Sequence, residues 1–401
     1  MNKKIMILGA SILQMPAIDK AKELGLQVVV VDMNPDAVGF NVEGIEKEII
    51  STIDTEKIIK AAKKHKIDAI MTLASDMPMQ SIAKVAKVMG LVGITEQTAL
   101  NATNKAVMRR CLKENNVPIP EYYKVTTRKE YQQAIEIFRS KGMKCIIKPV
   151  DNSGSRGVTL ISDYQSLQTI DKTFKYSKFF SRNGDIMVEE YMEGPEVSVE
   201  TLSVDGKCYV IQITDKLTTG APYFVEMGHN EPSMLSEDIK KQIMEVASTA
   251  VKAIGIENGP SHTEIIVTQA GPKVVELGAR LGGDNITTHL VPLSTGVNMV
   301  ECCIRSALGE KPDFEKKINQ ASAIRYINTK CGKIVRITGL GEAEAIDGVK
   351  KINIVHNIGK KANEIKNSVD RLGFVIAQAD TPEEAIHICE QAIERIRVEV
   401  E

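Results

Sequence analysis

The feature that most constrains the fold of this sequence is the alternation of apolar, β-branched runs with helical patterns over its first 95 residues. The apolar runs predict short buried strands, and the segments between them predict amphipathic helices. Strands are expected at 5–8, 27–31 and 69–73, and helices at 14–24, 58–64 and 81–89. Uniformly apolar strands that alternate with helices are typical of a parallel sheet covered by helices on both faces. Residues 1–98 are therefore predicted to form a Rossmann-like α/β domain.

This unit raises the alternative of a dinucleotide-binding domain. Gly9 follows the first predicted strand, and Asp32 ends the second. The segment 9–14 lacks the second glycine of the G-x-G-x-x-G fingerprint, which lets the backbone approach a pyrophosphate. We therefore expect a Rossmann-like scaffold rather than an NAD(P)-dependent oxidoreductase.

The composition argues against several classes of function. The 401 residues carry a formal net charge of −1 and no basic block, so no nucleic-acid partner is expected. The apolar run at the N-terminus is too short to span a bilayer, and no membrane partner is expected. The seven cysteines are scattered without a C-x-x-C pair, which argues against zinc and disulfide frameworks and favours a reducing cytoplasm.

Beyond residue 98, short strands and helices follow each other in quick succession, a pattern typical of an α+β region. We place this region at 99–310 and a smaller α+β module at 311–401. A helix over 381–397 is expected near the end of that module. Thr381 can cap this helix, Pro382 suits its first position, and Glu384 stands three residues after the cap.

A strand–loop–strand segment at 146–158 carries residue types that bind phosphate. Its glycines let the backbone fold over an anion and aim N–H groups at it, and its serines add hydroxyl donors. A lysine in the preceding strand supplies a compact positive charge. The candidate ligands are Lys148, Asn152, Ser153, Gly154, Ser155 and Gly157. This loop joins two strands, unlike the loop of a P-loop NTPase, and an ordinary Gly-Ser hairpin turn is the alternative.

Two glutamates further along the chain are predicted to lie side by side. β-Branched runs flank 270–272, an arrangement typical of a β-hairpin. If the turn centres on Ala270, Glu264 and Glu276 are cross-strand neighbours about 5 Å apart. A bridging Mg²⁺ would compensate their repulsion, and Arg280 adds a positive charge beside them. The alternative is a solvated surface hairpin whose two glutamates never meet.

Four segments, in this order, resemble the ATP-grasp superfamily. They are Asn104-Lys105, the 147–157 segment with its lysine and glycine loop, the run 189–196, and Glu264 with Glu276 and Arg280. The resemblance covers about residues 1–310. It implies a Rossmann-like first domain and an ATP-grasp domain of two α+β subdomains that clasp ATP, with a lid subdomain at about 122–192.

The resemblance also implies how ATP is bound. Lys105 and Lys148 would contact its phosphates, and the loop 152–157 would close over the β- and γ-phosphates. Glu196 would lie near the ribose. The adenine hinge would be formed by Glu189, Glu190, Tyr191 and Met192.

The resemblance implies that Glu264 and Glu276 hold Mg²⁺, for which Mn²⁺ could substitute, and that Arg280 faces an acyl phosphate. Many members of the superfamily carry Glu-x-Asn at the second metal strand, and the asparagine is a further ligand. This chain has Gly278 at that position. The metal site is therefore expected to rely on two carboxylates, water and phosphate oxygens.

The segments 222–232 and 277–292 look like those of L-amino-acid ligases and other carboxylate–amine ligases. The resemblance implies an enzyme that converts a small, amino-acid-like carboxylate into an acyl phosphate and passes the acyl group to an amine, releasing ADP and phosphate. His229 and Glu226 are the candidate acceptors of the amine proton. Dimers are common among relatives, so a homodimer is expected.

Other functions remain open at this point. Chemistry like that of glycinamide ribonucleotide synthetase, or of the carboxylases and carbamoyl phosphate synthetase, would use the same ATP site. A nucleotide-binding protein without turnover would bind ATP and release no ADP.

Overall fold

The computed structural model describes residues 3–152, 156–164 and 166–401 of the chain. The first strands form a parallel sheet in the order β3-β2-β1-β4. Their bounds are β1 Lys4–Leu8, β2 Gln27–Asp32, β3 Glu46–Ile49 and β4 Ala69–Met71. The helices of this part are α1 Met15–Glu23, α2 Thr55–His65 and α3 Met79–Met89. The prediction of a parallel α/β unit at the start of the chain is confirmed.

The loops at the carboxyl end of this sheet are fixed by internal hydrogen bonds. Asp32 accepts a hydrogen bond of 2.8 Å from the backbone N–H of Ala10, so its carboxylate closes the loop after β1. β4 is shorter than predicted, because Leu73 N–H donates to the Gln14 side chain at 2.8 Å instead of continuing the ladder. Gly90 ends α3 in the left-handed conformation, with φ +68°.

A second sheet, antiparallel in the order β5-β8-β6-β7, occupies the predicted lid region. Its strands are β5 Tyr122–Val125, β6 Cys145–Pro149, β7 Thr159–Ile161 and β8 Ile186–Glu190. Helices α4 Glu96–Thr103 and α5 Lys105–Glu114 lead into it, and α6 Arg128–Ser140 and α7 Leu167–Phe180 belong to it. Tyr131 and Phe138 of α6 are fully buried in its core.

The largest sheet runs in the order β13-β12-β9-β10-β11-β14-β18-β16. Its first strands in the chain are β9 Glu196–Val204, β10 Lys207–Thr218, β11 Glu226–Glu231, β12 Gly259–Thr268 and β13 Gly271–Gly278. Helix α8 Glu237–Ile254 lies between β11 and β12 in the chain, and helices α9 Val291–Thr295 and α10 Met299–Ala307 follow β13. Apolar residues of α8, such as Ile243 and Val251, pack with Val197 and Val199 of β9 in one core.

The C-terminal residues extend this sheet and add a small one in the order β17-β15-β19. Their elements are β14 Ala321–Ile327, β15 Gly332–Thr338, α11 Leu340–Glu344, β16 Val349–Ile354, β17 Lys361–Ala362, β18 Gly373–Ala379, α12 Pro382–Arg395 and β19 Arg397–Val400. The predicted cap of the last helix is confirmed, because the Thr381 side chain accepts a hydrogen bond from Glu384 N–H. Among the described residues, no helix combines the length and the apolar character needed to cross a membrane.

Candidate active site

One cavity of about 650 Å³ lies against the lid sheet and the largest sheet. This volume falls in the range of ligand pockets, about 300–1,000 Å³. The structure places twelve of the predicted site residues in its wall: Lys105, Lys148, Asn152, Glu189, Glu190, Tyr191, Met192, Glu196, Glu226, Glu264, Glu276 and Arg280. Gly157 and His229 are described but do not line the cavity, and Ser153, Gly154 and Ser155 lie outside the described residues.

The floor of the cavity is built from side chains that share one face of the largest sheet. Residues paired across antiparallel strands lie on the same face, as do residues two apart on one strand. Lys216 pairs with Glu196, and Glu264 pairs with both Ser198 and Glu276. One further row pairs His262 with Glu200 and Gly278. The alternation of polar and apolar residues along β9 and β12 therefore aims the polar ones at the cavity.

The predicted pairing of Glu264 with Glu276 is confirmed, but the register comes about differently. The hairpin turn lies between Thr268 and Gly271, which face each other, so its centre is half a residue from Ala270. From there Ile265 pairs with Val274, and a bulge then brings Glu276 opposite Glu264. A bulge adds one unpaired residue to a strand. Here that residue is Val275, and it shifts the register so that Glu264 and Glu276 face each other as predicted.

A lysine binds each of these two carboxylates. Lys105 Nζ donates to Glu276 Oε1 at 2.6 Å and to the backbone oxygen of Asn152 at 2.8 Å. Lys216 Nζ lies 2.8 Å from Glu264 and 2.6 Å from Glu196. Burial opposes the charge of this lysine, but the carboxylates around it raise the pKa of Lys216 well above its usual value. The repulsion between the paired glutamates is thus compensated by the chain itself.

The donor set fits a cation shared with a phosphate. Glu264 and Glu276 offer oxygen ligands, which Mg²⁺ prefers. Burial opposes the ionisation of Glu264, but Lys216 and His262 hold its pKa well below the usual value. Within the described ranges, no group of three or more His, Cys, Asp or Glu side chains is placed to hold a metal. Any further ligands would have to come from water or from the nucleotide.

Glu189 is bound inside the protein rather than presented to a base. Its carboxylate accepts two hydrogen bonds from Arg109, at 2.8 and 3.0 Å, and lies 2.7 Å from Lys148 Nζ. Burial disfavours the ionised form, yet these two cations hold the pKa of Glu189 at about 2. The carboxylate therefore positions Lys148 at the cavity wall. No local sequence pattern identifies Arg109, because its polar partners come from distant strands.

In the rest of the predicted hinge, the side chains of Tyr191 and Met192 can contact a ligand, whereas the carboxylate of Glu190 is bound by other residues of the protein. Tyr191 and Met192 both line the cavity, and Met192 is 8% exposed. Glu190 is bound by Lys273 Nζ at 2.9 and 3.0 Å and accepts from Glu121 N–H at 3.0 Å. In this segment, contacts to a base would come from backbone groups and from the Tyr191 and Met192 side chains.

The two described ends of the phosphate loop have different roles. Asn152 lines the cavity, and its side chain donates to the backbone oxygen of Phe180 at 3.0 Å. Gly157 packs beneath α7 with φ +80°, and a Cβ there would lie 2.8 Å from the Cβ of Phe180. Gly157 therefore allows close packing, while Asn152 and the neighbouring Arg156 face the cavity.

His262 lines the cavity and is held by the buried Glu200, which does not line it; neither residue is among the predicted site residues. His262 Nδ1 lies 2.6 Å from Glu200 Oε1, and its Nε2 lies 3.6 Å from Glu264. Burial opposes protonation of this histidine, but the charge of Glu200 raises the pKa of His262 to about 9. His262 is two residues before Glu264 on β12, so their side chains lie on the same face of the strand. This spacing could have identified His262 from the sequence.

His229 and Glu226 are not equally placed for chemistry. His229 pairs with Lys216 across β10 and β11 and so lies on the cavity face of the sheet, but it is only 1% exposed. The ring of Tyr326 packs against it at 6.4 Å between centroids, and Asp284 lies 3.7 Å from its Nε2. Those two residues cover His229, and Glu226 forms the cavity wall instead.

Arg280 lies in the cavity wall next to Glu276, with its guanidinium bound to Asp76. Burial opposes its charge, but Asp76 raises the pKa of Arg280 above its usual value. The cavity is thus lined by three cationic side chains, those of Lys105, Lys148 and Arg280. The carboxylates of Glu264 and Glu276 line the same cavity. Such a set can bind a polyphosphate and stabilise negative charge that develops on it.

Comparisons with known proteins agree with this geometry. Residues 141–288 match the ATP-grasp domain, and residues 325–401 match the L-amino acid ligase C-terminal domain 2. The chain is 26% identical over 416 residues to phosphoribosylamine–glycine ligase of Methanocaldococcus jannaschii, covering 96% of this chain and 91% of that protein. It is 29% identical over 265 residues to alanine–anticapsin ligase of Bacillus subtilis, covering 61% of this chain and 54% of that protein.

Among solved structures, the L-amino acid ligase of Bacillus licheniformis superposes with a TM-score of 0.85 at 24% identity, covering 100% of this chain and 99% of that one. This likeness shows the fold. With the matched domains and the cavity described above, it confirms the resemblance drawn from the four segments. Residues 141–288 therefore form an ATP-grasp domain, and the chain as a whole is similar to ligases that join a carboxylate to an amine.

Proposed function

We propose that this ligase joins the carboxylate of an amino acid or of a similar small acid to an amine, with Mg²⁺ and ATP. The observation that carries the proposal is the single cavity in which Tyr191 and Met192, two lysines, the paired glutamates and Arg280 all meet. The relatives named L-amino acid ligase and alanine–anticapsin ligase support an amino-acid-like substrate. The chain spans 54% of the latter protein's length, so its substrates are part of the proposal.

In this proposal the nucleotide lies along the cavity from the hinge to Arg280. Tyr191 and Met192 pack on adenine, and Glu196 approaches the ribose. Lys105 and Lys148 bind the phosphates, which requires Lys105 to release Glu276 in part. The loop that begins at Asn152 covers the phosphates and excludes water from the acyl phosphate.

Glu264 and Glu276 are the proposed ligands of Mg²⁺, for which Mn²⁺ could substitute. When bound, the cation supplies positive charge to the phosphate oxygens. Lys216 keeps Glu264 ionised and so keeps it available as a ligand. The described residues provide no third carboxylate at this place, and water or phosphate oxygens complete the proposed set.

The reaction then follows from charge and position. The substrate carboxylate attacks the γ-phosphorus of ATP, and the bond to the β-phosphate oxygen breaks to give an acyl phosphate and ADP. The amine attacks the acyl carbon, and phosphate leaves. Arg280 and the two lysines stabilise the transferring phosphoryl group, and catalysis consists mainly of positioning and charge stabilisation.

The amine must lose a proton before the product is neutral. Glu226 lines the cavity and is the proposed acceptor. His229 is the other candidate. Because Asp284 and Tyr326 cover its ring, His229 is less accessible to the amine than Glu226. A cytoplasmic location and a homodimer, expected from the cysteine pattern and from the resemblance, also belong to the proposal.

A second function deserves a direct test. The match to phosphoribosylamine–glycine ligase extends over 91% of that protein, so phosphoribosylamine with glycine is a specific alternative substrate pair. Bicarbonate would be the acid in carboxylase-like or carbamoyl phosphate synthetase-like chemistry.

The experiment is an ADP-release screen of the purified chain with Mg²⁺ and ATP. One arm contains pairs of amino acids, one contains phosphoribosylamine and glycine, and one contains bicarbonate with an amine. ADP release that depends on both an amino acid and an amine, with the peptide or amide detected by mass spectrometry, supports the proposal. ADP release only in another arm replaces it, and nucleotide binding without ADP release in any arm contradicts catalysis.

A further inference from the structure

Arg280 is held by a carboxylate from the parallel α/β unit at the start of the chain. Asp76 lies in the loop between β4 and α3, at the carboxyl edge of the parallel sheet. Its Oδ1 accepts a hydrogen bond from Arg280 Nε at 2.9 Å, and its Oδ2 accepts from Arg280 Nη2 at 3.0 Å. This two-point geometry fixes the plane of the guanidinium as well as its position. The remaining nitrogen, Nη1, donates to the backbone oxygen of Leu281 at 3.2 Å.

The loop that carries Asp76 is tied to the strand end that carries Arg280. Leu281 N–H donates to the backbone oxygen of Leu73 at 3.1 Å. Leu73 is in turn held by its hydrogen bond to Gln14, which is 3% exposed. The Asp76–Arg280 contact therefore connects two elements whose backbones are already fixed next to each other.

Gly278 leaves the space that this contact occupies. A Cβ at position 278 would lie 3.0 Å from Asp76 Oδ1 and 3.0 Å from Arg280 Nε. Those distances are shorter than ordinary van der Waals contact, so a Cβ would make one of the two side chains shift by a few tenths of an ångström, and a larger side chain would need more room than that. Position 278 is where many ATP-grasp enzymes carry an asparagine ligand. In this chain, the volume beyond Gly278 is filled by the Asp76–Arg280 pair.

We propose that Asp76 is a positioning residue that fixes the guanidinium of Arg280 at the reacting phosphate, and that Gly278 is required because Asp76 occupies the space of a side chain there. Arg280 lines the cavity together with Glu276 and Lys105, and Asp76, which does not line it, binds the guanidinium. Asp76 thereby contributes to catalysis from the parallel α/β unit without lining the cavity itself. This inference rests on the proposed function of Arg280.

The first test separates chemistry from nucleotide binding. Asp76→Asn keeps the shape of the side chain but loses the charge and one of the two acceptors. We expect kcat for ADP release to fall by about tenfold to a hundredfold, because small misplacements of a catalytic group have effects of this order. The Kd for ADP and the Kd for Mn²⁺ with ADP should stay within twofold of wild type. Asp36→Asn, an exposed change in the same domain, is the matched control.

Two results would overturn the positioning role. One is an unchanged kcat in a folded Asp76→Asn variant. The other is a loss of Mn²⁺ affinity that matches the loss of kcat, since Asp76 would then act as a metal ligand.

The second test needs no activity and therefore does not depend on the proposed function. Gly278→Asn is introduced into wild type and into Asp76→Ala, and the melting temperatures of all four proteins are compared. We expect Gly278→Asn to lower the melting temperature clearly in wild type and much less when Asp76 is absent. Equal decreases in the two backgrounds would overturn the packing relation. An enzyme that releases no ADP with any substrate pair would contradict the proposed function but leave this cycle interpretable.

Discussion

Glu264 and Glu276 face each other across β12 and β13, and each binds a lysine from a different part of the chain. Lys216 reaches Glu264 along the sheet, and Lys105 reaches Glu276 from the start of α5. Each of these two facing negative charges is thus compensated by a lysine. On binding Mg²⁺ and ATP, these carboxylates would exchange contacts with lysines for contacts with a divalent cation, with little change in local charge.

Glu276→Gln tests the metal assignment. The amide keeps the size of the side chain and removes the charge that the cation needs. We expect ADP formation to fall by about 10²-fold or more, an effect typical of losing one electrostatic element of an active site. The steady-state rate of ADP release is the measurement, with circular dichroism to confirm folding. Glu245→Gln on the exposed side of α8 should keep the wild-type rate. Near-normal turnover of Glu276→Gln would remove this residue from the metal site.

Lys216→Met tests whether the lysine competes with a cation. Its side chain is 4% exposed and touches Glu196 and Glu264, so its loss removes the nearest cation of both carboxylates and leaves Glu264 with the more distant His262. We expect the free energy of unfolding to fall by about 3 kcal/mol. Without nucleotide, the affinity for Mn²⁺ should rise about tenfold or more, because one nearby positive charge is gone. Calorimetry of Mn²⁺ binding and urea unfolding measure the two effects.

The control for this change lies on the same strand. Lys207→Met alters an exposed lysine at the far end of β10 and should change neither quantity. An unchanged or weaker Mn²⁺ affinity in Lys216→Met would show that the lysine does not compete with the cation.

Arg109→Met tests the ion pair beneath the hinge. Arg109 and Glu189 are each 1% exposed, and loss of the arginine leaves Glu189 with Lys148 as its remaining cationic contact. We expect a loss of about 3 kcal/mol in the free energy of unfolding, as is typical when one partner of a buried pair is removed. The neighbouring Arg110 is exposed, so Arg110→Met should change stability by at most about 0.5 kcal/mol. Similar urea midpoints for the two variants would contradict a structural role for the pair.

The sequence predicted the elements that depend on local chemistry. Apolar runs identified the parallel strands β1, β2 and β4 but not β3, whose residues Glu46–Ile49 are mostly charged, and Thr381 with Glu384 identified the last helix. The Glu264–Glu276 pair was found from hairpin spacing, although a bulge at Val275 completes the register. Local patterns sufficed here because the partners are close in the chain.

The missed features depend on contacts between distant segments. Asp76 and Arg280 are 204 residues apart, and no periodicity connects them. His229 shares a face with Lys216, but its cover comes from Tyr326, in a strand added by the C-terminal residues. Only the packed fold decides which polar residue of a shared face reaches the cavity. The division at 98 and 310 stays a prediction, and the largest sheet continues across the second of these positions.

Glu231→Gln tests a buried carboxyl outside the proposed reaction. Glu231 is 0% exposed and shares hydrogen bonds of 2.9 and 2.8 Å with the hydroxyls of Thr214 and Ser294. Burial raises its pKa to about 8, whereas an unperturbed glutamate has a pKa of 4.5. The folded state therefore keeps a proton that the unfolded state loses. The contribution of Glu231 to stability is full below pH 4.5 and is lost as the pH rises through about 8.

A glutamine at this position has no proton to lose. We expect Glu231→Gln to become more stable relative to wild type as the pH rises from 5 to 8, by up to about 1.4 kcal/mol per pH unit. Urea unfolding of both proteins across this range measures the difference, and Glu245→Gln should run parallel to wild type. Parallel curves for Glu231→Gln and wild type would show that Glu231 ionises alike in the folded and unfolded states. A difference in unfolding free energy that grows with pH would show that Glu231, in the largest sheet, is a neutral acid in the folded protein.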